Sequence, residues 1–148
     1  MLHECLILSA IICVQLPFPG SFVAMTKKFH DLNHYSDADI QAALGRNDPD
    51  ELALMPITVA LLAEDPADAQ DIILRLAGHE NIRVRSHALA GLGHLARRFR
   101  TLEEQKVKPL IESALMEQDE YIRMHARSAA DEIHQFLHWT FANHEYGI

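Results

Sequence analysis

The chain is poor in cysteine. Two of its 148 residues are cysteines, Cys5 and Cys13, and both fall in the first 24. The remainder can form no disulfide and no thiolate metal site. That fits a reducing compartment, and a cytoplasmic location is expected. Aromatic residues are scarce, at 7%; Ala and Leu abound instead, a balance that favours helices over strands. Positive charge is the minority sign, with 13 Lys and Arg against 21 Asp and Glu and a formal net charge of −8. An acidic surface repels a phosphate backbone, so nucleic acid is not expected as a partner and a basic protein suits better. No membrane partner is expected, because the apolar run at 6–16 (LILSAIICVQL) is too short to span a bilayer as a helix.

Patterns that carry catalysis are missing too. Gly91-Leu92-Gly93 lies inside a helical pattern and cannot cradle a phosphate. Ser86 and His87 are adjacent, so on a helix they point in different directions. The acids gather at helix starts, where capping and the helix dipole account for them. His134 and His138, with Asp131 three residues before, could share a helical face, but the HExxH pattern is absent and a solvated face is the simpler reading. No enzyme activity, cofactor or metal is expected.

What remains is an ordinary globular composition, 49% apolar and 23% charged, of a length that suits one domain. Residues 1–24 stand apart. They lack Lys or Arg before the apolar run, a cut after Ala24 would leave Phe22 where a small residue is wanted, and Ile12 precedes Cys13 where a lipoprotein signal needs Gly or Ala. Met25-Thr26-Lys27-Lys28 reads as an ordinary start. Residues 1–24 are therefore read as a non-native extension outside the fold, with a weak export-like segment as the alternative, and 25–148 as the folded domain.

Within that domain the chain repeats. At an offset of 38, Val84, Ala88, Leu92, Leu95 and Phe99 fall on Ile122, Ala126, Ala130, Ile133 and Leu137, steps of 4, 4, 3 and 4 that mark one helical face. Ile72, Ile73 and Leu76 fall on Leu110, Ile111 and Ala114, a second stripe. Two helices per unit at a period near 40 define the units 66–100 and 102–138. Pro66 and Gly78 should bound one helix; Asn81 and Asp119 should cap two others, and Thr101 with Glu104 a fourth as a capping box. Pro109 should bend or shorten its helix. A degenerate first unit spans 36–63. Ser36 opens a short helix over 38–44 that Gly45 stops. Asp48-Pro49 opens another to about Ala63, with Leu52, Met55, Val59 and Leu62 on one stripe and a kink at Pro56. The fold expected is all-α, an α-solenoid of about three helical hairpins.

Val84-Arg85 and Ile122-Arg123 resemble the hydrophobic-Arg pair early in the second helix of HEAT repeats, and Asn81 and Asp119 stand at that family's turn Asp or Asn. The segment Gly91 to Arg97 (GLGHLAR) is similar to small bacterial HEAT proteins that serve as immunity or adaptor proteins. The resemblance covers about 36–138 and implies a scaffold. Arg85 and Arg123, near helix N-termini, need acids to offset the dipole; Glu80, Asp119 and Glu120 are the candidates, making a ladder between units.

In HEAT-like stacks the second helices line the concave side. His87, Gly91, His94 and Arg98 form a polar stripe there, and Tyr121, His125 and Glu132 follow in the next unit. His87, His94, Arg98, Tyr121, His125 and Glu132 are the candidate partner-contact residues. Charge alternates along the chain, −6 over 25–78, +4 over 79–100 and −5 over 101–148. The central arginines (Arg83, Arg85, Arg97, Arg98, Arg100) are expected to be neutralised by the acidic units on either side. The function expected is non-catalytic protein binding, as an immunity protein that occludes a basic toxin. The alternatives are a HEAT-like nucleic-acid repair protein and an accessory scaffold for an enzyme or pigment lyase. Oligomeric state does not follow from the sequence.

Overall fold

The computed structural model describes residues 36–146. The described residues form six helices and no strand: α1 Asp37–Arg46, α2 Pro49–Leu62, α3 Pro66–Ala77, α4 Ile82–Phe99, α5 Glu104–Leu115 and α6 Glu120–Leu137. The expectations for residues 1–24 lie outside the described residues.

Most helix starts follow from a short polar side chain that takes up otherwise unpaired backbone N–H groups. Asp65 accepts from the amides of Ala67 and Asp68, Asn81 from Arg83 and Val84, and Asp119 from Tyr121 and Ile122. Ser36 and Asp39 form a reciprocal capping box at α1. That helix does not stop at Gly45. It runs to Arg46 and ends on Asn47 in the left-handed region (φ 51°), with Arg46 tied forward to Glu51 by a 2.6 Å ion pair. Asn tolerates that conformation, so the glycine was not needed to end the helix. Pro56 and Pro109 both lie within helices that continue past them.

Thr101 does not cap α5. The N-cap residue is Glu103, which makes no side-chain cap bond. The amide of Glu103 donates instead to Oε1 of Gln70, a buried residue of α3, at 2.8 Å. The cap comes from a neighbouring helix, which local sequence cannot show.

The offset of 38 governs the boundaries as well as the apolar stripe. N-caps fall at 65 and 103 and at 81 and 119; C-caps fall at 78 and 116 and at 100 and 138. Arg100 and His138 end their helices with the same left-handed backbone, φ 53° and 60°. Paired helices are equal in length, 12 residues for α3 and α5 and 18 for α4 and α6.

Helices α2, α4 and α6 lie side by side in that order, and α3 and α5 each pack on the helix that follows. The core runs through Leu52, Met55, Ile73, Val84, Leu92, Leu95, Ile111, Ile122 and Ile133. Phe99 and Leu137 are only half-buried, and Leu62, expected on the buried stripe of α2, is 46% exposed. Gly91 and Gly93 explain how α4 fits between two neighbours. A Cβ on Gly91 would lie 3.1 Å from both Cβ and O of Pro56 in α2; one on Gly93 would lie 2.9 Å from Oε2 of Glu132 and 3.3 Å from Cα of Ala129 in α6. One glycine serves each close approach.

Candidate protein-contact surface

The face shared by α2, α4 and α6 carries the polar stripe read from the sequence. His87, the sixth residue of α4, spans all three helices. Its Nδ1 lies 2.7 Å from the carbonyl oxygen of Ala53 in α2, and its Nε2 lies 3.3 Å from Oη of Tyr121 in α6. A carbonyl can only accept, so Nδ1 carries the proton and Nε2 accepts from the tyrosine. His125 occupies the equivalent place in α6. Its Nδ1 bonds the carbonyl of Tyr121 at 2.8 Å, and its ring sits 4.4 Å from that of Tyr121 and 5.8 Å from that of His87, centroid to centroid. Tyr121 remains 39% exposed and Met124 beside it 51% exposed.

The other stripe residues form a separate group lower on the face. Nδ1 of His94 stands 3.6 Å from Oε2 of Glu132 and 3.3 Å from a nitrogen of Arg97. Arg98 donates to the carbonyl of Ala60 at 3.1 Å, satisfying one of the last carbonyls of α2, and lies over the ring of Phe99.

The arginines divide. Arg83 pairs with Asp50 of α2, and Arg85 reaches Oε1 of Glu117 at 3.6 Å in the turn before α6. Both are neutralised by neighbouring units, as expected. Arg97, Arg98 and Arg100 have no carboxylate partner among the described residues. The ladder is narrower than expected. Arg123 donates to the carbonyls of Glu117 and Gln118 at 2.6 and 2.7 Å and pairs with Glu120. Asp119 caps α6 instead, and Glu117 joins the two arginines, its carboxylate facing Arg85 and its backbone carbonyl accepting from Arg123. The hydrogen bond from Arg123, then its charge and that of Arg127, hold the Glu120 carboxyl below the usual value.

Asp131, His134 and His138 do not converge. Nδ1 of His134 bonds the carbonyl of Trp139 at 2.7 Å, and Asp131 holds Nε2 of His144 at 2.7 Å. Among the described residues no group of three or more His, Cys, Asp or Glu is placed to hold a metal. An open cleft of about 340 Å³ lies away from the stripe, lined by Leu44, Asn47, Leu52, Arg75 and His79 among others. No helix among the described residues is long and apolar enough to cross a membrane.

No family model, curated protein or solved structure matches the chain. Its own geometry must therefore carry the functional reading. Sequence pattern found the stripe and missed what holds it, since Ala53 offers only a backbone carbonyl and carries no side-chain signal. The aromatic tail of Trp139, Phe141 and Tyr146 is visible in the sequence, but not its docking, in which Ala142 reaches Glu112 of α5 while His144 and Tyr146 meet Asp131 and His134 of α6.

Proposed function

We propose that the chain is a non-catalytic helical-repeat protein of the HEAT type, a short α-solenoid of three hairpins that binds a protein partner. The observation that carries this is Tyr121. It is a partly exposed aromatic fixed by His87 and His125, and such rigid anchors dominate protein interfaces because little side-chain freedom is lost on binding. Exposed Met124 extends the apolar contact. Asp50 and Glu120 nearby are paired with arginines, so the preference for a basic partner rests on the net charge of −8. The specific reading is a cytoplasmic immunity protein that occludes a basic toxin.

Coexpression with the product of the neighbouring open reading frame tests it. A stable complex, rescue of growth, and loss of both with Tyr121→Ala are expected; no complex and no rescue would end the immunity reading. Arg97, Arg98 and Arg100 are the observation that favours the nucleic-acid alternative. Salt-dependent DNA binding at micromolar protein, abolished when the three are replaced by Ala, would decide for it.

A further inference from the structure

His87 and His125 stand at the same position of two successive repeats, 38 residues apart in sequence, and the packing of α4 on α6 brings their rings to 5.8 Å between centroids. Both rings engage a backbone carbonyl through Nδ1, His87 that of Ala53 and His125 that of Tyr121. In the neutral form of both, the proton is thereby fixed on Nδ1 and the lone pair is on Nε2, which in His87 faces the Tyr121 hydroxyl. Metal-binding histidines are prepared in this way: an acceptor on one nitrogen sets the tautomer and raises the basicity of the other.

The spacing fits a metal as well. Two imidazoles bound to one zinc at about 2.0–2.1 Å place their centroids about 5–6 Å apart, and neighbouring ligand atoms of a tetrahedral site lie about 3.3–3.4 Å apart. Oη of Tyr121 is 3.3 Å from Nε2 of His87, a hydrogen bond whose length is also that of such a tetrahedral edge. Both histidines are sixth in their helices, past the first turn where the dipole would oppose a cation. The cations on α4 just before His87 are both paired, Arg83 with Asp50 and Arg85 with Glu117.

We propose that His87 and His125, with Tyr121 as third ligand, bind a divalent late transition-metal ion, Cu2+ or Zn2+, with one coordination position left open and the phenol proton of Tyr121 released to solvent on binding. The ligand set is two borderline nitrogens and an oxygen, and copper should bind more tightly than zinc. The site shares Tyr121 with the proposed protein-contact surface, and metal titration of the chain alone tests it without any partner.

The test is titration of the full chain with ZnCl2 and with CuCl2, read by calorimetry and, for copper, by electron paramagnetic resonance. One saturable site is expected, with hyperfine structure from two imidazole nitrogens. His125→Gln should weaken zinc binding at least tenfold; this ring bonds only its own helix, so the fold should survive, and circular dichroism checks that it does. His87→Gln should act likewise, and His94→Gln with His138→Gln should leave the site intact. Tyr121→Phe should weaken zinc binding less than loss of either histidine. Absence of a saturable site, or zinc binding unchanged in His125→Gln, would overturn the proposal. So would a copper spectrum with a single nitrogen.

Discussion

Ser36 takes a large share of the work at the start of α1. Its hydroxyl donates to the Asp39 carboxylate at 2.6 Å and its amide does so at 3.1 Å. The side-chain bond and then the backbone bond hold the Asp39 carboxyl below its ordinary value of 3.8. A carboxyl depressed in the folded state contributes stability above its unfolded pKa, and that contribution is lost as pH falls through the folded pKa. Ser36→Ala should therefore move the Asp39 titration upward, toward 3.8, as followed by NMR of the carboxyl carbon. A titration unchanged in the variant would show that the capping box does not form in solution. At α5 the deciding residue is remote. Gln70→Ala removes the acceptor for the Glu103 amide and should cost about 1–3 kcal/mol in urea unfolding. Thr101→Ala should stay within about 0.5 kcal/mol, because Thr101 supplies no cap. The reverse ranking would restore the local capping box that the sequence suggests.

At the scale of the element, what was legible and what was not divide along a physical line. Features set by a few consecutive residues could be read: the opening of α3 at Pro66, the caps by Asn81 and Asp119, the apolar stripe from Val84 to Leu95, and the matching stripe from Ile122 to Ile133. Features set by a neighbouring helix could not. Leu62 continues the spacing of its stripe, yet it is exposed. The polar stripe showed the same split. His87, His94 and Arg98 could be placed on one face from their spacing, but the clasp of His87 between Ala53 and Tyr121 needs three helices at once. Gly91 and Gly93 are the sharpest case, since inside a helix glycine costs about 1 kcal/mol relative to alanine and only the close neighbours justify it. Gly91→Ala places a Cβ against the ring and backbone of Pro56 and the end of Ile73, which have little room to yield. Overpacking of about 1–3 kcal/mol should exceed the gain in helix propensity, giving a net loss in thermal unfolding. Gly93→Ala meets mainly the Glu132 carboxylate, which can swing toward solvent, so its loss should be smaller. Equal losses would mean that α4 sits symmetrically between α2 and α6.

On the scale of the whole described molecule, the two ends of the α2–α4–α6 row are finished differently. At the α2 end Leu54 and Leu61 are 41% and 52% exposed. At the α6 end the segment after His138 folds back. Phe141 is 5% exposed, the Tyr146 ring stacks 4.0 Å from that of His134, and Tyr146 Oη accepts from the Phe141 amide at 2.7 Å. The Ala142 amide donates to Glu112 of α5 at 2.9 Å, and His144 meets Asp131. Repeat proteins need polar or covered ends because each unit's apolar face is otherwise left open. The segment should therefore act as a cover whose docking depends on its one deeply buried aromatic. Phe141→Ala should cost about 3 kcal/mol if the segment stays docked around a cavity, and less if it detaches, because detachment limits the loss to the energy of docking. Hydrogen exchange separates the two outcomes. Detachment exposes the Phe141 and Ala142 amides to rapid exchange while the amides of α4 keep their protection. A cavity leaves both amides protected and lowers the stability of the entire unit. Detachment is the expected result, since the bonds of the segment to Glu112 and Asp131 are exposed and so contribute little by themselves.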